Sequence, residues 1–257
     1  MPDPPSVETR GLTIRFGGHV AVDAVSCAFQ RGTLTAIVGP NGAGKTTYFN
    51  LISGQLRASA GQVWVAGADV TSLPAPSRSR RGLGRAFQLT NLFANLSVIE
   101  NLRLTIQARH PLSRHLWSQL CTVWSSHRAL IDEADQILER IALRARRDAP
   151  AGSLPHGDQR KLEVGILLAM RPAVFMFDEP TAGMSVDEVP VILDLIRDIK
   201  RDTDKTVLLV EHKMDVVRAL SDRIIVLHNG QLVADGEPAA VIASPVVQQA
   251  YLGVPTA

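Results

Sequence analysis

The stretch Gly39-Pro40-Asn41-Gly42-Ala43-Gly44-Lys45-Thr46-Thr47 determines how the rest of the chain is interpreted. It has the spacing of a phosphate-binding loop, in which a glycine and four further residues precede Gly-Lys-Thr. Glycines let the backbone adopt left-handed conformations, so that successive N–H groups can surround an anion. The Lys45 ammonium suits the β- and γ-phosphates of a nucleotide, and the Thr46 hydroxyl suits Mg²⁺.

The residues on both sides of this loop have the pattern that the motif requires. The run 33–38 predicts a short buried strand, and the run 48–52 predicts a helix that starts near Gly44. The positive end of that helix would face the bound phosphates. A chance match in a glycine-rich turn is the alternative, and it would lack this context.

The composition argues against several classes of protein. The chain has 257 residues with 27 basic and 25 acidic side chains, so it lacks the positive field of a nucleic-acid-binding protein, and we expect no nucleic acid partner. Cys27 and Cys121 match no metal or disulfide pattern, which favours a reducing compartment. The sequence shows no signal-peptide pattern and no uncharged run long enough to span a bilayer. We therefore expect a soluble protein that reaches a membrane only through partners.

The remaining chain predicts an α/β protein with an antiparallel start, formed by a hairpin that turns at Gly17-Gly18, and a second hairpin that turns at Asn229-Gly230. Strands are predicted at 11–16, 20–29, 61–66, 83–88, 173–178, 206–210, 224–228 and 231–235. Helices are predicted at 77–82, 97–108, 112–128, 131–142, 157–170, 187–202, 216–221 and 238–252. We expect 83–88 to be an interior strand and 144–155 to be a loop. Alternating strands and helices predict a parallel sheet that binds phosphate at the carboxyl ends of its strands.

Local signals locate some helix starts. Ser97 and Glu100 form a capping-box pair. Ser185 and Glu188 form a second pair, but a helix that started there would contain the following proline, so a start at residue 187 is favoured. The apolar stripe of the helix 112–128 either packs on the core or forms an exposed contact surface, and both interpretations stay open.

Polar residues at strand ends complete a candidate catalytic site. Asp178 and Glu179 follow four apolar residues, and a buried carboxylate is costly unless it has a function. In a phosphate-loop ATPase one acid holds Mg²⁺ and the next activates water, so we interpret Asp178 as the metal ligand and Glu179 as the general base. Helix capping is the alternative for Asp178. Gln88 could position water or Mg²⁺. His212 could contact the γ-phosphate or serve a structural role.

Together these residues resemble the nucleotide-binding subunit of an ABC transporter, over about residues 8–253. Phe16 is similar to the aromatic residue that stacks on adenine, and His212 to the switch histidine. The other motifs are the phosphate loop at 39–47, the Q-loop at 85–88, the signature region at 154–160, the Walker B strand at 174–178 with Glu179, and the D-loop at 182–185. Within the family, the stretches 87–101, 178–184 and 210–215 are most similar to ATPases of branched-chain amino acid and urea/amide importers.

The resemblance implies a P-loop NTPase core with a parallel sheet, an N-terminal antiparallel β subdomain and an inserted α-helical subdomain. Within a single domain over 1–257, the core and its antiparallel part take about 8–88 and 171–236, the helical part about 89–170, and a short tail 237–257. ATP and Mg²⁺ are the implied cofactors. The implied catalytic residues are Glu179, His212, Gln88 and Lys45, the nucleotide contacts are Phe16 and 39–47, and the metal ligands are Thr46, Gln88 and Asp178.

The resemblance also implies partners at the cytoplasmic face of a membrane. These are two transmembrane permease subunits, a second ATPase subunit, which is a different chain or a second copy, and an extracytoplasmic solute-binding protein. Two ATPase subunits would close head-to-tail, with each ATP between the phosphate loop of one and the signature helix of the other. ATP hydrolysis would drive uptake of a small polar or amino-acid-type solute. A groove at 88–101, with Leu92, Phe93 and Val98, would contact the permease.

Three positions depart from the family pattern. The signature Ser is Pro155, the usual signature Gln aligns with Asp158, and the D-loop Asp is Ser185. Pro155 lacks a hydroxyl and an N–H, and Asp158 places a negative charge where a phosphate would approach. We therefore hypothesise that the ATP site built on this chain's signature hydrolyses slowly, whereas this chain's own phosphate loop serves the main site.

Three other functions compete with this interpretation. An exporter ATPase for lipids or drugs would share the same motifs. A non-transport ABC ATPase acting on DNA or ribosomes would carry coiled-coil insertions, a duplicated cassette or basic arms. A signalling GTPase would need an Asn-Lys-x-Asp motif, and the sequence has none.

Overall fold

Two β-sheets and the helices that follow their strands form the regular structure of the chain. The computed structural model describes residues 4–86, 92–109 and 128–252. The strands are β1 Val7–Phe16, β2 His19–Phe29, β3 Leu34–Val38, β4 Ala60–Val65, β5 Ala68–Asp69, β6 Leu83–Arg85, β7 Val174–Asp178, β8 Thr206–Val210, β9 Arg223–His228 and β10 Gln231–Gly236. The helices are α1 Lys45–Ser53, α2 Ala75–Ser79, α3 Val98–Arg109, α4 Arg128–Arg140, α5 His156–Met170, α6 Val189–Arg201, α7 Met214–Leu220, α8 Pro238–Ala243 and α9 Pro245–Leu252.

The larger sheet carries the phosphate loop. Among the described residues its strand order is β10-β9-β3-β8-β7-β6, and every pair from β9 to β6 is parallel. Every residue of β3, β7 and β8 is buried, because both faces of a parallel sheet are covered. The predicted parallel sheet is thus confirmed, and the phosphate loop follows β3 at the carboxyl edge.

The strand expected at 83–88 forms in part, but the interior position predicted for it is wrong. β6 ends at Arg85 and, among the described residues, pairs only with β7, at the edge of the sheet. All three of its residues are buried, because its faces are covered even though its other edge has no strand neighbour in the described part of the chain. Because both faces of β6 are covered, its sequence resembles that of an interior strand. Gln88, at the end of the predicted strand, lies outside the described residues.

The smaller sheet is antiparallel and has the order β2-β1-β4-β5. Its first hairpin pairs Phe16 with His19 across the predicted Gly17-Gly18 turn. Buried residues of this sheet, including Val22 and Phe29, join one hydrophobic core with Tyr48 of α1. The predicted antiparallel start is confirmed, and it packs beside the helix of the phosphate loop.

The chain divides into two compact units. The first comprises residues 1–85, 172–179 and 196–257 and holds both sheets. The second comprises 86–171 and 180–195. Within it α3, α4 and α5 pack on one another, and Gly165 permits close approach, since a Cβ there would lie 2.7 Å from Ile141 Cδ1. The predicted helix at 112–128 lies outside the described residues.

Local predictions mostly hold. Ser97 and Glu100 make both capping-box bonds: the Ser97 N–H donates to the Glu100 carboxylate at 2.9 Å, and the Glu100 N–H donates to Ser97 Oγ at 3.3 Å. Helix α6 begins at Val189, close to the favoured start, yet the Ser185–Glu188 contact also forms, with Ser185 Oγ 2.9 Å from the carboxylate. The expected loop at 144–155 contains two short 3₁₀ turns.

The Asn229-Gly230 turn is left-handed at both residues, with φ of 48° and 77°, as a tight hairpin requires. Within residues 4–86, 92–109 and 128–252, the helices are too short or too polar to cross a bilayer.

Candidate functional site

The phosphate loop joins β3 to α1, and two of its glycines are needed for close packing. Gly44 has a φ of 93° and immediately precedes α1, and no described side chain caps the N–H groups of that helix. A Cβ at Gly39 would lie 2.1 Å from the Leu227 carbonyl oxygen, and one at Gly44 would lie 2.4 Å from that of Ala21. The loop is therefore packed closely between neighbouring backbones, and at its end are helix N–H groups that no described side chain caps.

Lys45 lies inside this loop. Its side chain is mostly buried, and its ammonium donates to the carbonyls of Gly39 at 2.7 Å and Pro40 at 2.9 Å. Burial lowers the pKa of the Lys45 ammonium, and the charges of Glu179 and Asp178 oppose that shift. The ammonium is thus held in the loop by backbone carbonyls, next to two carboxylates.

A cavity of about 380 Å³ opens in front of the loop. Its lining includes Phe16, which is half exposed, and Glu179. The other lining residues are His19, Ala21, Asn41, Gly42, Ala43, Gly44, Lys45, Thr46 and Thr47. The structure therefore brings most of the expected nucleotide contacts to one cavity. His19 was not among the expected residues, although its pairing with Phe16 follows from the predicted hairpin.

Asp178 forms a buried ion pair that was not expected from the sequence. Its Oδ2 accepts a hydrogen bond from Arg85 Nη2 at 2.9 Å, and the two side chains are only 0% and 6% exposed. Burial raises the pKa of the Asp178 carboxyl, and Arg85 opposes that shift. An arginine in an apolar strand was the one signal of this pairing in the sequence.

The second oxygen of Asp178 fits a metal ion. Asp178 Oδ1 is buried and has no hydrogen-bond partner among the described residues. An unpaired buried carboxylate oxygen is costly unless a cation completes it. The described residues contain no cluster of three His, Cys, Asp or Glu side chains that could hold a metal. Mg²⁺ suits such a site, because it usually takes one or two carboxylates and fills its other positions with phosphates and water.

Glu179 and His212 lie close together at the ends of β7 and β8. His212 Nδ1 is 3.7 Å from Glu179 Oε1 and 3.5 Å from Glu211 Oε1. Glu179 has a φ of 48°, and its N–H donates to the Val210 carbonyl at 2.9 Å. A left-handed conformation is strained for glutamate, and such strain is concentrated at functional sites. Glu179 thus combines a constrained backbone with a side chain at the cavity.

The signature region at 154–160 lies in the second unit. Pro155 is the residue before α5, and its side chain makes no capping hydrogen bond to the helix. Asp158 lies in the first turn of α5, where its Oδ1 is 2.9 Å from Lys161 Nζ. The start of this helix therefore lacks the expected serine and carries a paired carboxylate.

Comparison with known proteins agrees with these features. The protein-family model described as ABC transporter matches residues 22–182. The high-affinity branched-chain amino acid transport ATP-binding protein BraF of Pseudomonas aeruginosa is 37% identical over 251 residues, which cover 97% of this chain and 98% of BraF. The protein of the same description from Escherichia coli, LivG, is 37% identical over 253 residues, with 97% and 98% covered.

Solved structures point the same way. An ATP-binding cassette of an ABC transporter in its ADP conformation has a TM-score of 0.79 at 29% identity, with 96% of this chain and 98% of that chain covered. A nucleotide-free cassette has a TM-score of 0.80 at 28% identity, with 96% and 99% covered. Since the family match spans more than half of the chain and the relatives align over nearly all of it, this chain belongs to the ABC transporter family as an ATP-binding subunit that hydrolyses ATP.

Proposed function

We propose that this chain is the ATPase subunit of an importer for branched-chain amino acids. The main support for ATPase activity is that the phosphate loop, Phe16 and Glu179 line one cavity. The substrate class rests on BraF and LivG, whose names describe branched-chain amino acid transport. Uptake of urea or amides and export of lipids or drugs are the alternatives.

In the proposed site Phe16 stacks on the adenine, and the loop from Gly39 to Thr47 surrounds the phosphates. The N–H groups at the start of α1 and the Lys45 ammonium stabilise the negative charge that develops on the γ-phosphate. Asp178 Oδ1 and the Thr46 hydroxyl would hold Mg²⁺, whose positive charge would partly neutralise the phosphate oxygens. Gln88 is proposed as a further ligand or water-positioning residue.

Glu179 accepts the proton of the attacking water in this proposal. Its side chain lines the cavity and is partly exposed, so water can reach it. His212, 3.7 Å away, orients that carboxylate and donates to the γ-phosphate.

Binding of Mg-ATP to the full chain tests the site directly. We expect Lys45→Met to weaken Mg-ATP binding about tenfold or more, because a buried charged donor is removed. Lys205→Met is the matched control, since Lys205 precedes β8 at the opposite edge of the sheet. Titration calorimetry measures both variants, and equal affinities for ATP in the two would contradict the proposed site.

The proposed partners are two permease subunits, a second ATPase subunit and a solute-binding protein, with this chain on the cytoplasmic face of the membrane. Purification of the intact complex, followed by ligand screening of its solute-binding protein, tests the substrate. Binding of leucine, isoleucine or valine supports the proposal, whereas selective binding of urea or an amide replaces it. A complex that lacks a solute-binding protein and moves its substrate out of the cell would favour the exporter.

We also propose that the two ATP sites of such a complex are unequal. Pro155 and Asp158 make this chain's signature a poor partner for phosphate, so the main site uses this chain's phosphate loop and Glu179. Glu179→Gln should then lower ATP turnover of the complex about 100-fold, and the equivalent change in the second ATPase should lower it less. A larger loss from the change in the second ATPase would contradict the inequality.

A further inference from the structure

Two buried arginines contact helix α1 near its carboxyl end, and only one of them contacts Asp178. Arg78 donates to four backbone carbonyls, those of Leu73, Leu51, Ile52 and Thr71, at 2.6–2.9 Å. Arg85 instead donates to side chains: Asp178 Oδ2 at 2.9 Å, Asn50 Oδ1 at 2.6 Å, Ser53 Oγ at 2.9 Å and Gln55 Oε1 at 2.9 Å. Arg85 therefore links the carboxylate at the end of β7 to the helix that begins with Lys45.

Arg85 is also held by groups other than Asp178. Three neutral oxygens of Asn50, Ser53 and Gln55 accept hydrogen bonds from it, and its guanidinium lies 5.3 Å from the centre of the Phe49 ring. Its backbone is also held, because Arg85 pairs with Met176 in the sheet. These contacts give the guanidinium a fixed position beside the carboxylate.

Arg85 leaves one particular oxygen of Asp178 available. Oδ2 is occupied by the guanidinium, whereas Oδ1 is buried without a hydrogen-bond partner in the described chain. Turning the carboxylate out of its present plane would break the Arg85 bond in a site where the Asp178 side chain is fully buried and that of Arg85 is only 6% exposed. The pair thus holds the carboxylate in one orientation.

We propose that Arg85 is a positioning residue for metal binding: it orients Asp178 so that Oδ1 binds the Mg²⁺ of the nucleotide, and it couples that carboxylate to helix α1, which carries Thr46. This rests on the proposed function, in which Asp178 and Thr46 are metal ligands. Groups that hold a metal ligand in place typically change metal affinity by 10–100-fold when they are replaced. Arg85 does not contact the nucleotide in this proposal, so its loss affects the metal and leaves metal-free nucleotide binding intact.

The test compares metal binding in the full chain with Arg85→Gln, Arg85→Lys and Arg78→Lys. Mn²⁺ is the probe, because its electron paramagnetic resonance signal distinguishes free metal from bound metal, and ADP is present at saturation. Binding of ADP in EDTA is measured separately by calorimetry. We expect Arg85→Gln to weaken Mn²⁺ binding about tenfold or more, and Arg85→Lys to weaken it less, since a lysine keeps one charged bond. ADP affinity in EDTA should change less than about twofold.

Arg78→Lys is the matched control, because Arg78 is a buried arginine at the same helix end but does not contact Asp178. It should lower the urea midpoint and leave Mn²⁺ affinity unchanged. The proposal is overturned if Arg85→Gln binds Mn²⁺ like the unaltered chain, or if Arg78→Lys weakens Mn²⁺ binding equally. If Arg85→Gln fails to fold, Mn²⁺ binding is measured for Arg85→Lys and Asn50→Ala instead, and affinities equal to that of the unaltered chain overturn the proposal. Failure of the unaltered chain to bind ADP would instead refute the proposed function.

Discussion

The carboxylate of Glu188 lies against Gly157, so that a Cβ at residue 157 would come within 2.2 Å of both carboxylate oxygens. Ser185 holds this carboxylate through its N–H at 3.2 Å and its hydroxyl at 2.9 Å. Lys161 Nζ lies 3.6 Å from the same group. Gly157 is therefore needed for a close approach and not for a left-handed backbone. The segment after the D-loop and the first turn of α5 meet at this contact.

Gly157→Ala should displace the Glu188 carboxylate and destabilise the chain by about 1 kcal/mol, because the end of a flexible side chain can move but loses its partners. Glu188→Ala in the same chain should remove the clash, so the two changes should be non-additive by about 0.5–1 kcal/mol. Urea unfolding of the two single variants and the double variant measures this coupling. Strictly additive free energies would show that the contact has no energetic role.

Gly44→Ala should be far more damaging than Gly42→Ala. Both glycines have positive φ, 93° and 79°, so both changes strain the backbone. At Gly42 a Cβ meets nothing within 4 Å, whereas at Gly44 it meets the Ala21 carbonyl oxygen at 2.4 Å, which cannot move cheaply. We expect a loss of about 1 kcal/mol for Gly42→Ala and about 3 kcal/mol for Gly44→Ala. Denaturant unfolding measures the difference, and equal losses would contradict the packing argument.

Phe93→Glu should uncouple ATP hydrolysis from transport if Phe93 contacts a permease. The Phe93 side chain is 61% exposed, and its backbone is held by Asn101, so the change should not disturb folding. Transport by the reconstituted complex should fall roughly tenfold, while the isolated chain binds ATP normally. Val246→Glu is the matched control, because Val246 is also an exposed apolar residue, at 54%. Unchanged transport by the Phe93 variant would refute the proposed permease contact.

Cys27 should make stability fall at high pH. Burial raises the pKa of its thiol from 9.0 to about 11. Between these values the unfolded thiol ionises while the folded thiol stays protonated, so the unfolded state binds fewer protons and the free energy of unfolding decreases as pH rises. The loss should be on the order of 1–2 kcal/mol.

The measurement compares urea unfolding at pH 8 and pH 10.5 for Cys121→Ser with and without Cys27→Ala. Tyr48, Arg223 and Asp235 lie near the thiol and are present in both chains, so the difference between the two pH dependences reports the contribution of Cys27. A pH dependence that is identical in the two chains would contradict the prediction.

The predicted elements that hold have strong local signals. The run before the phosphate loop is apolar at every position that became β3, because a parallel strand is covered on both faces. The turn at Asn229-Gly230 follows from residues that tolerate positive φ. In each case the chemistry of a few neighbouring residues already favours one backbone conformation.

The features that were missed depend on distant contacts. Arg85 and Asp178 are 93 residues apart, and the carboxyl ends of two parallel strands bring them together. The edge position of β6 could not be predicted, because burial of both faces produces the same apolar pattern at an edge as in the interior. His19 reaches the cavity because the hairpin turns it beside Phe16.

Neighbouring residues alone therefore settled the phosphate loop, the strands beside it and the family, since glycine, lysine and threonine at this spacing favour one local conformation and one chemistry. The folded chain was needed to pair Arg85 with Asp178, to leave Oδ1 without a hydrogen-bond partner among the described residues and to place Glu179 near His212. A buried charge selects its partner by desolvation, and which partner is available depends on how distant strands align in the sheet.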